Sequence, residues 1–143
     1  MLRFYRVWNI ALGALIGIQF FLAGYGAIGS GSPDEAFALH IMNGRLIGAV
    51  ALLGILFAAL ARAGGKLVGF AAIIFGLVVL QSVIAMISVA GTVPGQIIFG
   101  FHVVNALIIE TRVGATGKLV KQILDGRKPA ASEAGSSPEP ATA

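Results

Sequence analysis

Four long apolar stretches, at about 7–29, 36–61, 67–90 and 96–113, constrain this chain more than any other feature. Each supplies the roughly 20 apolar residues that an α-helix needs to cross a hydrocarbon layer about 30 Å thick. In lipid every backbone N–H and C=O must be paired inside the protein, so stretches of this length become helices. The connections are short, so consecutive helices run in opposite directions. The predicted fold is all-α: a transmembrane four-helix up-and-down bundle made of two tandem helical hairpins. Composition agrees, with 57% hydrophobic and only 11% charged residues, against roughly a quarter charged in soluble domains. The transmembrane domain is placed at 1–116. Beyond it, Leu119, Val120, Ile123 and Leu124 fall on one side of a helix, which predicts a short interfacial amphipathic helix over 117–128. Residues 129–143 are Ala, Ser, Pro, Glu and Gly without apolar period and read as a disordered tail.

Orientation follows from the basic residues. Arg3 and Arg6 precede the first stretch, Arg62 and Lys66 lie in the second connection, and Arg112, Lys118, Lys121, Arg127 and Lys128 follow the fourth. The first and third connections hold no Lys or Arg, and the first carries Asp34 and Glu35. By the positive-inside rule this is a multi-pass protein of the cytoplasmic (inner) membrane with both termini cytoplasmic. The net charge of +4 expresses that topology and suits an anionic leaflet; the lipid bilayer is the expected partner, not nucleic acid. The first stretch has the flanks of a signal peptide. Its apolar run exceeds the usual 7–15 residues, and Gln19 has a counterpart in the third stretch, so it is expected to remain as a helix. Tyr5, Trp8 and Tyr25 lie near helix ends and are expected at the membrane interface.

The polar residues inside the membrane come in duplicate. A shift of 62 positions carries His40 onto His102, Asn43 onto Asn105, Phe37 onto Phe99, Gln19 onto Gln81, Ala23 onto Ala85 and Gly29 onto Gly91. The halves therefore read as parallel repeats about a pseudo-two-fold axis along the membrane normal. His40 and His102 are the only two histidines, and counting at 1.5 Å per residue puts both roughly 7–9 Å below the outer surface. The second and fourth helices are diagonal neighbours roughly 11–14 Å apart, so two inward imidazoles would leave a slot between them. An ionisable group in hydrocarbon is costly and is a functional hypothesis by default.

Such a slot suits haem b with one axial imidazole on each face, in the centre of a bundle where such sites are built. Phe37 and Phe99, one turn outward, could cover the ring edge; Ala23 and Ala85, at about the histidine depth, leave room. One turn deeper, Gln19, Gln81, Asn43 and Asn105 form an amide layer. It reads either as hydrogen-bonding glue between helices or as support that orients the imidazoles or lines a quinone or proton pocket. Arg45 and Glu110 break the symmetry, since their counterparts are Leu107 and Gly48. The Arg45 guanidinium is expected to use Glu110, the amide layer or a cofactor carboxylate. A dedicated zinc or copper site is weaker, because two imidazoles without carboxylate or thiolate are an incomplete set, and the chain has no cysteine.

Leu39-His40-Ile41-Met42-Asn43-Gly44, echoed by Phe101-His102-Val103-Val104-Asn105-Ala106, resembles a family of small uncharacterised four-helix membrane proteins of bacteria, especially actinobacteria. The layout is also similar to half of the haem A synthase fold, whose four-helix bundles hold b-type haem between histidines on their second and fourth helices. That enzyme's catalytic glutamate motif has no match here, so this likeness implies haem holding rather than haem modification. The expected role is electron transfer, with a quinone or a redox complex as partner, or an accessory place in such a complex. The alternatives are a structural or assembly subunit without cofactor and a small proton-linked transporter; neither makes the chain an enzyme by itself. Gly13-x-x-x-Gly17 and Gly44-x-x-x-Gly48 serve internal packing or a homo-oligomer equally well.

Overall fold

A computed structural model describes residues 1–88 and 92–126, and its regular elements are all helices. They are α1 (Leu2–Ala27), the single-turn α2 (Pro33–Ala36), α3 (Ala38–Leu60), α4 (Gly65–Ser88) and α5 (Val93–Gly126). α1, α3, α4 and α5 are long and apolar enough to cross a membrane. α1 packs against α3 and α5, and α4 packs against the same two, so α3 and α5 face each other across the diagonal. This is a four-helix bundle of a multi-pass membrane protein.

The bundle is apolar outside and small or β-branched within. Phe21, Leu52, Leu56, Met86 and Ile97 face outward, while Ala51, Ala58, Ala71, Ile74 and Val113 are buried. Lipid tails are as apolar as leucine, so helices gain by approaching closely rather than by hiding apolar surface. Two layers fill the interior. The central one joins Leu12, Ile16, Ile47, Ala51, Ile74, Val78, Ile109 and Val113. The second, nearer the termini, joins Leu2, Tyr5, Ala58, Ala61, Leu67, Ala71 and Val120.

The terminal layer explains where the elements differ from expectation. α1 begins at Leu2 rather than at residue 7, because Leu2 and Tyr5 are core residues of that layer. The separate interfacial helix expected at 117–128 is instead the last part of α5, continuous to Gly126. Val120 is fully buried, and Leu119, Ile123 and Leu124 pack on the layer, so the apolar face once assigned to the membrane surface is covered by protein. At 34 residues α5 is about 51 Å long, well beyond a hydrocarbon thickness of about 30 Å. Tyr5 is buried rather than interfacial. Trp8 donates from Nε1 to the Val50 carbonyl at 3.0 Å and meets Phe57 edge-on at 4.6 Å between ring centres. Tyr25 is exposed, as an interfacial ring would be. The expected tail at 129–143, the last two residues of the expected helix at 117–128, and Gly91 lie outside the described residues.

The corner between α1 and α3 is tightly built. α2 opens with a capping box: the Ser32 hydroxyl accepts from the Glu35 N–H at 3.4 Å, and the Glu35 carboxylate accepts from the Ser32 N–H at 2.9 Å. The chain breaks at Phe37 before α3 resumes. Gly26 must lack a side chain, since a Cβ there would lie 2.7 Å from the Phe37 ring and 2.9 Å from the Ala36 carbonyl.

Candidate functional site

Two matching sets of hydrogen bonds, one between α1 and α3 and one between α4 and α5, hold each hairpin together at the level of the histidines. Asn43 on α3 donates from Nδ2 to Gln19 Oε1 at 2.7 Å and to the Leu15 carbonyl at 3.0 Å, both on α1. Gln19 in turn donates from Nε2 to the His40 carbonyl at 3.0 Å. Between α4 and α5, Asn105 donates to Gln81 Oε1 at 2.7 Å and to the Leu77 carbonyl at 2.9 Å, and Gln81 donates to the His102 carbonyl at 2.9 Å. Every donor and acceptor in the second set lies 62 positions after its counterpart in the first. Gly44 allows the close approach on α3, since a Cβ there would sit 3.2 Å from Gln19 Nε2. Asn43 and Asn105 are buried within these sets and do not line the space between the histidines.

The two imidazoles meet across the diagonal with ring centres 6.3 Å apart and planes inclined by 44°. His40 Nδ1 lies 3.2 Å from the Gln19 carbonyl. A carbonyl can only accept, so this bond requires a proton on Nδ1 and, in neutral imidazole, leaves the Nε2 lone pair free. His102 is different. Its Nδ1 is buried without a hydrogen-bond partner among the described residues. The neighbouring rings differ as well: Phe37 meets His40 edge-on at 5.9 Å, whereas Phe99 stacks on His102 at 5.1 Å with planes 11° apart. Both phenylalanines therefore touch the imidazoles, and neither lines the cavity between the helices.

That cavity has a volume of about 550 Å³, inside the range of small-molecule and cofactor sites. Ile16, Ile47, Val78 and Ile109 form its floor; all four belong to the central core layer. His40, His102, Gln19 and Gln81 contribute polar atoms, and Ala23, Ala85, Gly44 and Ala106 keep it wide. The histidines, glutamines and alanines singled out in the sequence thus line one cavity. Sequence reasoning passed over Ser82 and the glycines and isoleucines that shape the cavity, residues too common in membrane helices to stand out.

Arg45 lines the cavity and Glu110 does not. Among the described residues Arg45 makes no ion pair or hydrogen bond, so the expected pairing with Glu110 or the amides is not formed. Glu110 follows the inward-facing Ile109 and is itself exposed. An arginine at mid-helix costs about 2.5–3.5 kcal/mol on insertion scales, so an unpaired one beside a cavity calls for a partner. Asn9 is a further buried polar residue that the sequence did not single out. It donates from Nδ2 to the Val113 carbonyl at 3.1 Å and sits against Gly117, joining α1 to α5 far from the histidines.

The donor set decides what this site can hold. A metal–imidazole bond is about 2 Å long and the ring centre lies about 1 Å further back, so two imidazoles facing across one metal have centres about 6 Å apart. The observed separation fits. No cluster of three or more His, Cys, Asp or Glu exists among the described residues. A metal that brings its own equatorial ligands inside a flat apolar ring needs only the two axial ones.

No curated protein and no solved structure matches the chain. A family model matches residues 19–91, a stretch that holds Gln19, His40, Asn43, Arg45 and Gln81 but not His102 or Asn105. By that match the chain belongs to a family of unknown function, DUF6220.

Proposed function

We propose that this protein is an integral membrane b-type haem-binding protein, with His40 and His102 as axial ligands, that serves electron transfer or an accessory place in a redox complex. The observation that carries the reading is the 6.3 Å separation of the imidazole centres at the head of an apolar cavity of about 550 Å³. Haem, when bound, supplies a one-electron couple. The chain supplies orientation and exclusion of water. The Gln19 carbonyl holds His40 with Nε2 free, a backbone hydrogen bond of the kind that fixes metal-binding histidines. Gln19 and Gln81 also bind the histidine carbonyls, so each imidazole rests on a helix whose rotation is fixed by its neighbour. For the buried Nδ1 of His102 the matching acceptor would be the Gln81 carbonyl, 62 positions after the Gln19 carbonyl that His40 uses.

Positive-inside orientation puts the site in the outer half of the cytoplasmic membrane with both termini in the cytoplasm, so a quinone or a membrane redox complex would be the electron partner. A subunit without cofactor is the competing reading. It draws on the amide sets, which hold each hairpin together whatever the cavity holds.

The test is the absorption spectrum of protein purified in mild detergent from cells supplied with haem precursor, beside His40→Ala and His102→Ala. The expected result is a Soret band with the sharp reduced bands of a six-coordinate haem, changed or lost in either variant. Folded, colourless protein that takes up no added haem would refute the reading.

A further inference from the structure

Arg45 sits where the cavity reaches the membrane. Along α3, at 100° per residue, Ile41, Arg45 and Gly48 turn away from the α1 side, where Asn43 is bonded, and toward α4. On α4 the cavity is continued by Val79, Ser82 and Met86. Ile41, Arg45, Val79 and Met86 are all exposed, so the cavity runs out to the bundle surface at the α3–α4 seam. Gly48 leaves that seam without a side chain on the α3 side, where a Cβ would face Val78 of α4 at 3.9 Å. The corresponding seam between α5 and α1 has Leu107 where this one has Arg45, and Phe20 where this one has Ser82. One seam therefore carries a cation and the other does not.

The cation is also at a useful height. Arg45 lies five residues deeper than His40 along α3, but helix side chains lean toward the N-terminal end, which brings the guanidinium back toward the imidazole level. It has five donors and no protein acceptor among the described residues. The cavity beside it is apolar apart from the histidines, the two amides and the Ser82 hydroxyl.

We propose that the cavity takes a carboxylate-bearing ligand with a large apolar body, loaded sideways from the membrane through the α3–α4 seam, with its carboxylate on Arg45. A porphyrin with propionates and a long-chain fatty acid share that chemistry. With the first, the inference builds on the haem reading; with the second, it stands without it. A guanidinium in a site of low dielectric prefers a carboxylate to its neutral ester, and the preference is the signature of the pairing.

The experiment is binding to purified full-length protein in neutral detergent, comparing haemin with its dimethyl ester and a fluorescent long-chain fatty acid with its methyl ester. Wild type, Arg45→Leu and Arg45→Lys are measured together. Leucine is the residue at the equivalent position in the other half, so Arg45→Leu is expected to fold, and retained helical content with unchanged Trp8 fluorescence verifies it. The expected result is a preference for at least one acid over its ester of about tenfold or more, abolished in Arg45→Leu and partly kept in Arg45→Lys. An acid preference seen only with haemin identifies a porphyrin as the source, and one seen only with the fatty acid, with no haemin bound in either form, identifies a lipid and refutes the haem reading while upholding this one. Equal binding of acid and ester, a preference that survives Arg45→Leu, or no binding of either pair overturns the proposal. Haemin bound with a six-coordinate spectrum but no ester discrimination would overturn it and leave the haem reading standing.

Discussion

Replacing Asn43 by leucine, which changes shape little, removes two interhelical hydrogen bonds at once, those to Gln19 Oε1 and the Leu15 carbonyl. Interhelical bonds in membranes average about 0.6 kcal/mol and reach about 1.7 kcal/mol, so the two together are worth about 1–2 kcal/mol. The Leu15 carbonyl keeps its own helix bond, but Gln19 Oε1 loses its one donor among the described residues, which adds part of the 1–3 kcal/mol that an unsatisfied buried acceptor costs, for a total of about 1.5–3 kcal/mol. Gln19→Leu placed on top of Asn43→Leu removes the stranded acceptor, so the double variant should be less destabilised than the sum of the singles, by at least about 0.5 kcal/mol. Asn105→Leu should cost the same as Asn43→Leu to within about 0.5 kcal/mol, because its two bonds have nearly the same lengths. Reversible unfolding in mixed micelles of rising dodecyl sulfate fraction, followed through the single tryptophan, Trp8, measures all of these. A loss below about 0.3 kcal/mol for Asn43→Leu, or strict additivity with Gln19→Leu, would refute the account of the amides as a coupled unit.

Gly26→Ala should lower thermal stability by about 1–3 kcal/mol, because the new methyl would meet the Phe37 ring and the Ala36 carbonyl; an unchanged melting curve in detergent would count against the close corner. The Ser32 N–H and hydroxyl hold the Glu35 carboxyl below its ordinary value of 4.5. A folded-state value below the unfolded one means that the capping box contributes fully above about pH 4.5 and is lost as pH falls through the lowered value. Protection of the α2-turn amides, taken relative to intrinsic exchange at each pH, should therefore fall on acidification through the lowered value, and Glu35→Gln, which does not titrate, should flatten the dependence; the same acid dependence in Glu35→Gln would refute it. Trp8→Phe should cost about 0.5–1.5 kcal/mol through the lost bond to the Val50 carbonyl, read as a shift of the unfolding midpoint by circular dichroism, with no shift as the contrary outcome.

The four spans and their order were legible because length and apolarity suffice to define a membrane helix. Which faces turn inward was legible only through polar residues. Gln19, Asn43, Gln81 and Asn105 are rare in such helices, and their spacing revealed the interior, whereas Ile16, Ile47, Ala51 and Ile74 look no different from lipid-facing neighbours. The ends were misread for the complementary reason. Hydropathy falls at Arg3, Arg6, Lys118 and Lys121, but helix continuity does not depend on hydropathy, and Leu2, Tyr5 and Val120 keep the bundle packed beyond the apolar spans. Arg45 and Glu110 were legible as exceptions but not as non-partners, since depth along two helices says nothing of which way each side chain leaves its axis.

The packing layers beneath the histidines also give the molecule a front and no back. From the cavity floor at Ile16, Ile47, Val78 and Ile109, the interior passes through Leu12, Ala51, Ile74 and Val113 and then Tyr5, Ala58, Leu67 and Val120, a solid plug all the way to the termini. Whatever reaches the imidazoles arrives from the far end or through the wall of the bundle, and must depart by the same route. For a molecule the site is a cul-de-sac, entered and left by one way.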